Sequence, residues 1–265
     1  MKIIRFISAG RIHLGMQVDQ QSALAIEGDP LQSFTVTNVR LKIEKLLAPI
    51  VPTDILCIGL NYRQHALESK SVVPDHPMLF IKSSNALNDP SAAVTIPRLS
   101  QKVDYEGELA VVIGRTAKNI PRERALDFVL GYTVANDISA RDWQLEKSLG
   151  GGQFARGKSF DGFCPIGPCI VTPDEIPSPN ALRLKTTLNG QTVQDSTTAD
   201  MIFDVPTIIS SLSSTMTLRP GAIILTGTPQ GVGMARTPPL WLKPGDSIAI
   251  EIEKIGVLEN TFAAE

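Results

Sequence analysis

Apolar residues in this chain fall into short runs rather than into long helical periods. LCIGL, MLFIK, ELAVVIG, LGYTVAND, LRLKTTLNG, AIILTG and SIAIEIEKI are aliphatic or β-branched segments, several of them bounded by glycine, proline or asparagine, and such runs predict β-strands. MKIIRFIS and ALAIEG add two more within residues 1–28. Asn189-Gly190 is a type I′ hairpin signal between LKTTL and QTVQ, and Pro220-Gly221 and Pro244-Gly245 each set a turn ahead of a strand. Helical patterning is scarcer. It predicts a short piece near 38–47, a helix in RERALDFVL after Pro121, and another in PTIISSLSSTM, where Asp204 stands as N-cap before Pro206. Without regular strand–helix alternation, the chain reads as α+β, mainly β. The proline-bounded PIVPTD divides a small N-terminal α+β subdomain, residues 1–50, from a main domain, residues 51–265.

Composition narrows the partners. A 265-residue chain with 43% hydrophobic residues can bury a large core. Its net charge of −2 provides no basic field for nucleic acid and no basic amphipathic helix for a membrane surface. The first apolar run is broken by Arg5 and Gly10, so neither a signal peptide nor a membrane span is expected, and a cytoplasmic location follows, or the mitochondrial matrix in a eukaryote. A small-molecule ligand fits best. Cys57, Cys164 and Cys169 are odd in number and form no C-x-x-C, which argues against a disulfide framework or a zinc cluster. With histidine only at 13, 65 and 76, a metal would have to be held mainly by oxygen.

Two stretches then compete for the chemistry. GQFARGKS, residues 152–159, satisfies the phosphate-loop pattern G-x-x-x-x-G-K-[ST]. That pattern works only between a buried strand and a helix N-terminus. Here ARDWQLEKSLGG precedes it and the proline-rich FDGFCPIGPCIV follows, so the nucleotide reading fails and Lys158 needs another role. In DYEGELAVVIG, Glu106 and Glu108 stand at i and i+2 on a strand and point to one face. A solvated pair is the plain alternative, but the strand continues as the buried-looking LAVVIG. Asp137 ends a second apolar strand, and three such carboxylates suit Mg²⁺, Mn²⁺ or Ca²⁺. Arg141, Gln144 and Lys158 lie nearby and could steer an anion, although Arg141 could equally pair with Asp142 or Glu146 on the surface. His65 and Glu68 share a helix face at i, i+3, a candidate general base or a chance surface pair. TGTPQGVG, residues 226–233, could bring backbone N–H groups and the Thr228 hydroxyl to an oxyanion, or be simply a turn.

Taken in order, GLNYRQHALE, DYEGELAVVIG, NDISARDWQ, GKSFDGFCPIGP and ILTGTPQGVG resemble the motif set of the fumarylacetoacetate hydrolase superfamily. The resemblance spans the C-terminal four-fifths of the chain. ARDWQ, KSFDGFCPIGP and PPLWLKPGD most resemble the fumarylacetoacetate hydrolase domain-containing branch, which holds C–C hydrolases, decarboxylases and oxaloacetate tautomerases. It implies a β-sandwich roll, a divalent metal on Glu106, Glu108 and Asp137, substrate contacts from Gln144, Lys158 and Thr228, and a lid helix carrying His65 and Glu68. It also implies a homodimer. The expected activity is metal-dependent C–C hydrolysis of a small anionic 2-oxo acid such as an acylpyruvate or fumarylpyruvate. Oxaloacetate tautomerisation or decarboxylation on the same site is the alternative, with non-catalytic dicarboxylate binding the remaining reading.

Overall fold

The structure, a computed structural model, describes residues 1–265. Its frame is a 12-stranded mixed sheet whose main path runs Phe34–Lys42, Ser22–Gly28, Arg11–Gln17, Lys2–Ser8, Cys164–Val171, Val129–Asn136, Gly107–Ile113, Ile223–Leu225, Ile55–Gly59 and Met78–Lys82. A five-stranded sheet of Gln191–Thr197, Arg183–Leu188, Ser247–Ile252, Gly256–Ala264 and Ala93–Ile96 accompanies it. The mainly β architecture is therefore the expected one. No helix is long and apolar enough to cross a membrane.

Alternation along Gly107–Ile113 explains why this strand is central. Leu109, Val111 and Ile113 belong to the larger apolar cluster, with Leu184, Ile250 and Phe262 of the smaller sheet. Ala110 and Val112, on the opposite face, join the second cluster with Cys57, Ala135 and Leu225. Both faces are thus covered, and the strand reads as a nearly continuous apolar run. The helix Val205–Thr215 packs Ile208, Ile209 and Leu212 into the larger cluster, and the Asp204 carboxylate caps it by accepting from Thr207 N at 2.9 Å.

Some elements differ from the sequence pattern. The piece near 38–47 is not helical: Phe34–Lys42 and Lys45–Leu47 are strands, the first paired with Ser22–Gly28 and the second with Lys2–Ser8. Its FTVTNVRLK is rich in β-branched residues, which suit a pleated surface better than a helix turn. Lys2–Ser8 pairs with Cys164–Val171, so the N-terminal strands continue the large sheet. The RERALDF segment after Pro121 is a 3₁₀ helix. CPIGPCIV is a strand despite its two prolines; the Gly167–Pro168 bond is cis, and the register shifts on the Val129–Asn136 side. The hairpin at Asn189-Gly190 is as expected, both residues having positive φ between the strands Arg183–Leu188 and Gln191–Thr197.

Strand direction brings the chemistry to one rim. Gly107–Ile113 starts where its antiparallel neighbours Val129–Asn136 and Ile223–Leu225 end, as Gly107 opposite Asn136 and Ala110 opposite Leu225 show. Ile55–Gly59 is parallel to Ile223–Leu225, so it ends there too. Glu106, Asp137, the loop after Leu225 and the helix Arg63–Glu68 consequently gather at the same end of the sheet.

Candidate metal centre and active site

Glu106, Glu108 and Asp137 are all buried, and one carboxylate oxygen from each lies within 4.8 Å of the others. One backbone bond and one side-chain bond hold Glu106 and Asp137 there. Asp137 N donates to Glu106 O at 2.9 Å, and Glu106 N donates to Asn136 Oδ1 at 3.1 Å. The expected convergence of three carboxylates is what the fold produces.

Their charge is only partly compensated. Lys158 Nζ donates to Glu106 Oε2 and Asp137 Oδ2, each at 2.7 Å, while Lys82 Nζ donates to Asp137 Oδ1 at 2.6 Å. Arg141 donates through Nε to Asp104 Oδ2 at 2.8 Å, and its NH2 lies 2.7 Å from Glu106 Oε1 as a close ion pair. Glu108 has no basic side chain bonded to it; Gly227 N donates to its Oε2 at 2.7 Å. Four buried carboxylates, counting Asp104, therefore face three buried cations. Burial works against ionisation of Glu106, but Lys158 and then Arg141 hold its carboxyl down at about 2. Burial, followed by the Asp137 and Glu106 charges, pushes Glu108 well above the usual carboxylate range. For Lys158 burial favours the neutral amine, yet Asp137 and Glu106 raise it above the ordinary lysine value. Hard oxygen donors, a like-charge cluster and one carboxylate short of a cationic partner fit a divalent cation.

The His65–Glu68 pair lies on a short helix beside the same cleft. His65 and Glu68 lie on the six-residue helix Arg63–Glu68, with Nδ1 3.1 Å from Glu68 Oε2. Gly231 N donates to both Glu68 oxygens, at 2.9 and 3.1 Å. Already an acceptor, the carboxylate favours the tautomer with the proton on Nδ1, which leaves Nε2 a free base. The pair is not a surface coincidence: His65, Glu106, Glu108, Arg141, Gln144, Lys158 and Thr228 line one cleft of about 190 Å³. Its remaining wall is largely apolar, including Ile58, Met78, Phe80 and Met234.

Local sequence explains how the cations reach the rim. Arg141 and Gln144 lie three apart on the helix Arg141–Leu145 and share a face. Gly157 lies against that helix; a Cβ there would stand 2.6 Å from Gln144 N, so only glycine lets the helix Phe154–Lys158 approach and aim Lys158 inward. Lys158 is thus the last residue of a five-residue helix facing carboxylates, with no strand ahead of it, which disposes of a phosphate loop. Gly227, at φ +97°, turns its N–H toward Glu108.

Two expectations need amendment. Arg141 pairs with Asp104 and Glu106, not with Asp142 or Glu146; Asp142 instead accepts from Ser100 Oγ and Gln101 N, and Glu146 from Lys102. Thr228 lines the cleft, but its hydroxyl donates to Gly107 O at 3.1 Å and accepts from Gln194 Nε2 at 2.9 Å, so its proton is committed to the backbone.

Sequence reading missed three residues. Lys82 ends MLFIK, and a lysine closing an apolar strand could have suggested an internal counterion. Asp104 is two residues before Glu106, in step with the i, i+2 pair. Gln194 gave no signal; it accepts from Gly107 N and Thr186 Oγ1, joining the smaller sheet to the carboxylate strand.

The family profile described as Fumarylacetoacetate (FAA) hydrolase C-terminal matches residues 54–263. The chain is 50% identical over 236 residues to a fumarylacetoacetate hydrolase domain-containing protein 2 homolog of Dictyostelium discoideum, covering 85% of this chain and 77% of that protein. It is 49% identical over 216 residues to the mitochondrial oxaloacetate tautomerase fahd2 of Xenopus laevis, 81% of this chain and 67% of the relative. Among solved structures, a fumarylacetoacetate hydrolase from psychrophilic Exiguobacterium antarcticum superposes with TM-score 0.88 at 36% identity, covering all of both chains.

Proposed function

The chain belongs to the fumarylacetoacetate hydrolase family, a family of enzymes, and from that premise we propose that it interconverts the keto and enol forms of oxaloacetate. The observation that carries this reading is His65 Nε2, left free by the Nδ1 contact to Glu68, in the same small cleft as Glu106 and Glu108, whose oxygens cluster with that of the buried Asp137. Tautomerisation needs one proton moved between carbon and oxygen, and a single positioned base suffices. The 49% identity over 216 residues to a protein named as an oxaloacetate tautomerase favours this reaction over the C–C hydrolysis expected from sequence. A cleft of about 190 Å³ suits a four-carbon acid.

Glu106, Glu108 and Asp137 would hold the divalent cation, which when bound supplies positive charge to the oxygen that becomes negative in the enolate. His65 takes the proton from the carbon beside the keto group and delivers it to the enolate oxygen, or carries it from oxygen to carbon in the reverse direction, while Glu68 fixes the imidazole tautomer. Lys158, fully charged beside Glu106 and Asp137, offsets the buried carboxylates and adds a positive field for the anionic substrate. The apolar wall of Ile58, Met78 and Phe80 limits water around the transferred proton.

The His–Glu pair also keeps C–C hydrolysis open as a second reading, since the same base could activate water. Purified protein with Mg²⁺ or Mn²⁺ is offered enol-oxaloacetate and, separately, acetylpyruvate and fumarylpyruvate, with products identified directly. Accelerated loss of the enol without carbon–carbon cleavage is the expected result. Cleavage of an acylpyruvate with no effect on the oxaloacetate tautomers would overturn the proposal in favour of the hydrolase.

A further inference from the structure

We infer that Asp104 is a positioning residue for the substrate anion, acting through Arg141 to fix which end of the Gln144 amide faces the cleft. This rests on reading the cleft as a 2-oxo acid site, not on which reaction occurs there. Asp104 is completely buried and its two oxygens accept four hydrogen bonds: from Tyr105 N at 2.9 Å and Gly233 N at 2.7 Å on Oδ1, and from Met234 N at 3.1 Å and Arg141 Nε at 2.8 Å on Oδ2. Every donor is an N–H, so only an ionised carboxylate satisfies all four; an asparagine would turn its NH₂ toward a donor. There is no slack either, because a Cβ on Gly233 would already stand 2.7 Å from Asp104 Oδ1.

With Nε anchored, the planar guanidinium has its other nitrogens fixed in direction. NH1 donates to Gln144 Oε1 at 3.0 Å, and NH2 lies 2.7 Å from Glu106 Oε1. Gln144 lines the cleft, and with its oxygen committed to Arg141, its NH₂ is the end presented to a ligand. The carboxylates of either tautomer of a 2-oxo acid are acceptors only, so a donor is the useful orientation toward them. An amide free to flip would present its oxygen and repel the carboxylate. Asp104 also ties the turn Gly233–Ala235, whose Met234 lines the cleft, to the same guanidinium. Orientation of the donor and position of that wall are therefore set by one buried carboxylate.

The test is a double-mutant cycle of Asp104→Asn and Gln144→Leu, read as KM and kcat for enol-oxaloacetate, as oxalate affinity of the Mg²⁺-loaded protein by calorimetry, and as Mg²⁺ affinity alone. Asp104→Asn is expected to raise KM and weaken oxalate binding about tenfold, the scale of one hydrogen bond to a charged group, with kcat and Mg²⁺ affinity nearly unchanged. In the Gln144→Leu background the same change should have little further effect on oxalate, since the orientation it controls is gone. Additive losses, or a loss confined to kcat or Mg²⁺ binding, would overturn the inference. If Asp104→Asn does not fold, Arg141→Lys takes its place in the cycle, because an ammonium cannot hold Asp104 and Gln144 in one fork; additivity there is equally fatal. Should no oxaloacetate turnover be found while oxalate binding shows the coupling, the proposed reaction falls and the role of Asp104 stands.

Discussion

The carboxylate rim and the His65 helix serve the same cleft but are held in opposite ways. Glu108 lies within a strand paired on both sides, Glu106 and Asp137 are joined to each other by backbone, and lysines and an arginine surround them. His65 and Glu68 ride a helix of six residues at the end of the sheet, tied to the opposite loop through Gly231 N, and followed by SKSVVPDHP without regular structure. A site for charge must be rigid, since three like charges tolerate little displacement before repulsion wins. A residue proposed to carry a proton need only arrive, and a short peripheral element with few buried contacts can open for substrate at small cost.

The largest effect expected from breaking the rigid side is at Glu108. Glu108→Ala should abolish both stoichiometric Mg²⁺ binding and metal-dependent turnover, checked by calorimetry and by assay of enol-oxaloacetate. Survival of both would mean that the rim is not the metal centre. On the peripheral side, His65→Ala should lower kcat by about 10²–10⁴-fold, the usual contribution of a positioned acid–base group. Mg²⁺ affinity and oxalate affinity should hardly change, and a parallel collapse of metal binding would erase the distinction between the two regions.

Lys158→Met tests how far the rim depends on its buried counterions. Removing one partner of a fully buried ion pair costs about 3–5 kcal/mol, so the metal-free protein should melt at lower temperature. Added Mg²⁺ should recover part of that loss by binding the native state. A smaller effect comes from pH. Glu108 is pushed upward, so in the metal-free protein it retains its proton above the ordinary carboxylate range, and that stability is lost as pH rises through the raised value. Mg²⁺ must displace the proton, so its affinity should rise with pH, with proton release visible as a dependence of calorimetric heat on buffer. The smallest expected signal is that of Mg-ATP. Lys158 faces carboxylates, so calorimetry should detect no micromolar nucleotide binding at GQFARGKS.

Legibility from sequence followed the same division. The strands ELAVVIG and LGYTVAND were readable because apolar runs bounded by turns have few other uses, and the candidate carboxylate triad followed from two strand ends and one i, i+2 pair. Residues 38–47 were misread because a short amphipathic stretch fits either period until a partner strand is known. CPIGPCIV was read only as unable to start a helix, and that it forms a strand depended on partners far away in sequence. The alternative left open for Arg141, a surface pair with Asp142 or Glu146, does not form: sequence neighbours are visible on the page, whereas its partner Asp104 is 37 residues away.

What the sequence determined by itself was local: strand propensity, the Asp204 cap, the Asn189-Gly190 turn, and five motifs that resemble one family and offer candidate oxygen ligands and a candidate histidine base. What only the tertiary structure decided was pairing across distance. Strand direction chose which strand ends share a rim, and burial made each charge there require a partner. Lys82 and Lys158 could settle on Asp137, and Asp104 on Arg141, only once the sheet had placed them together. A one-dimensional pattern records which groups are available, but the energy of a buried charge depends on the distance to its counterion, and folding sets that distance.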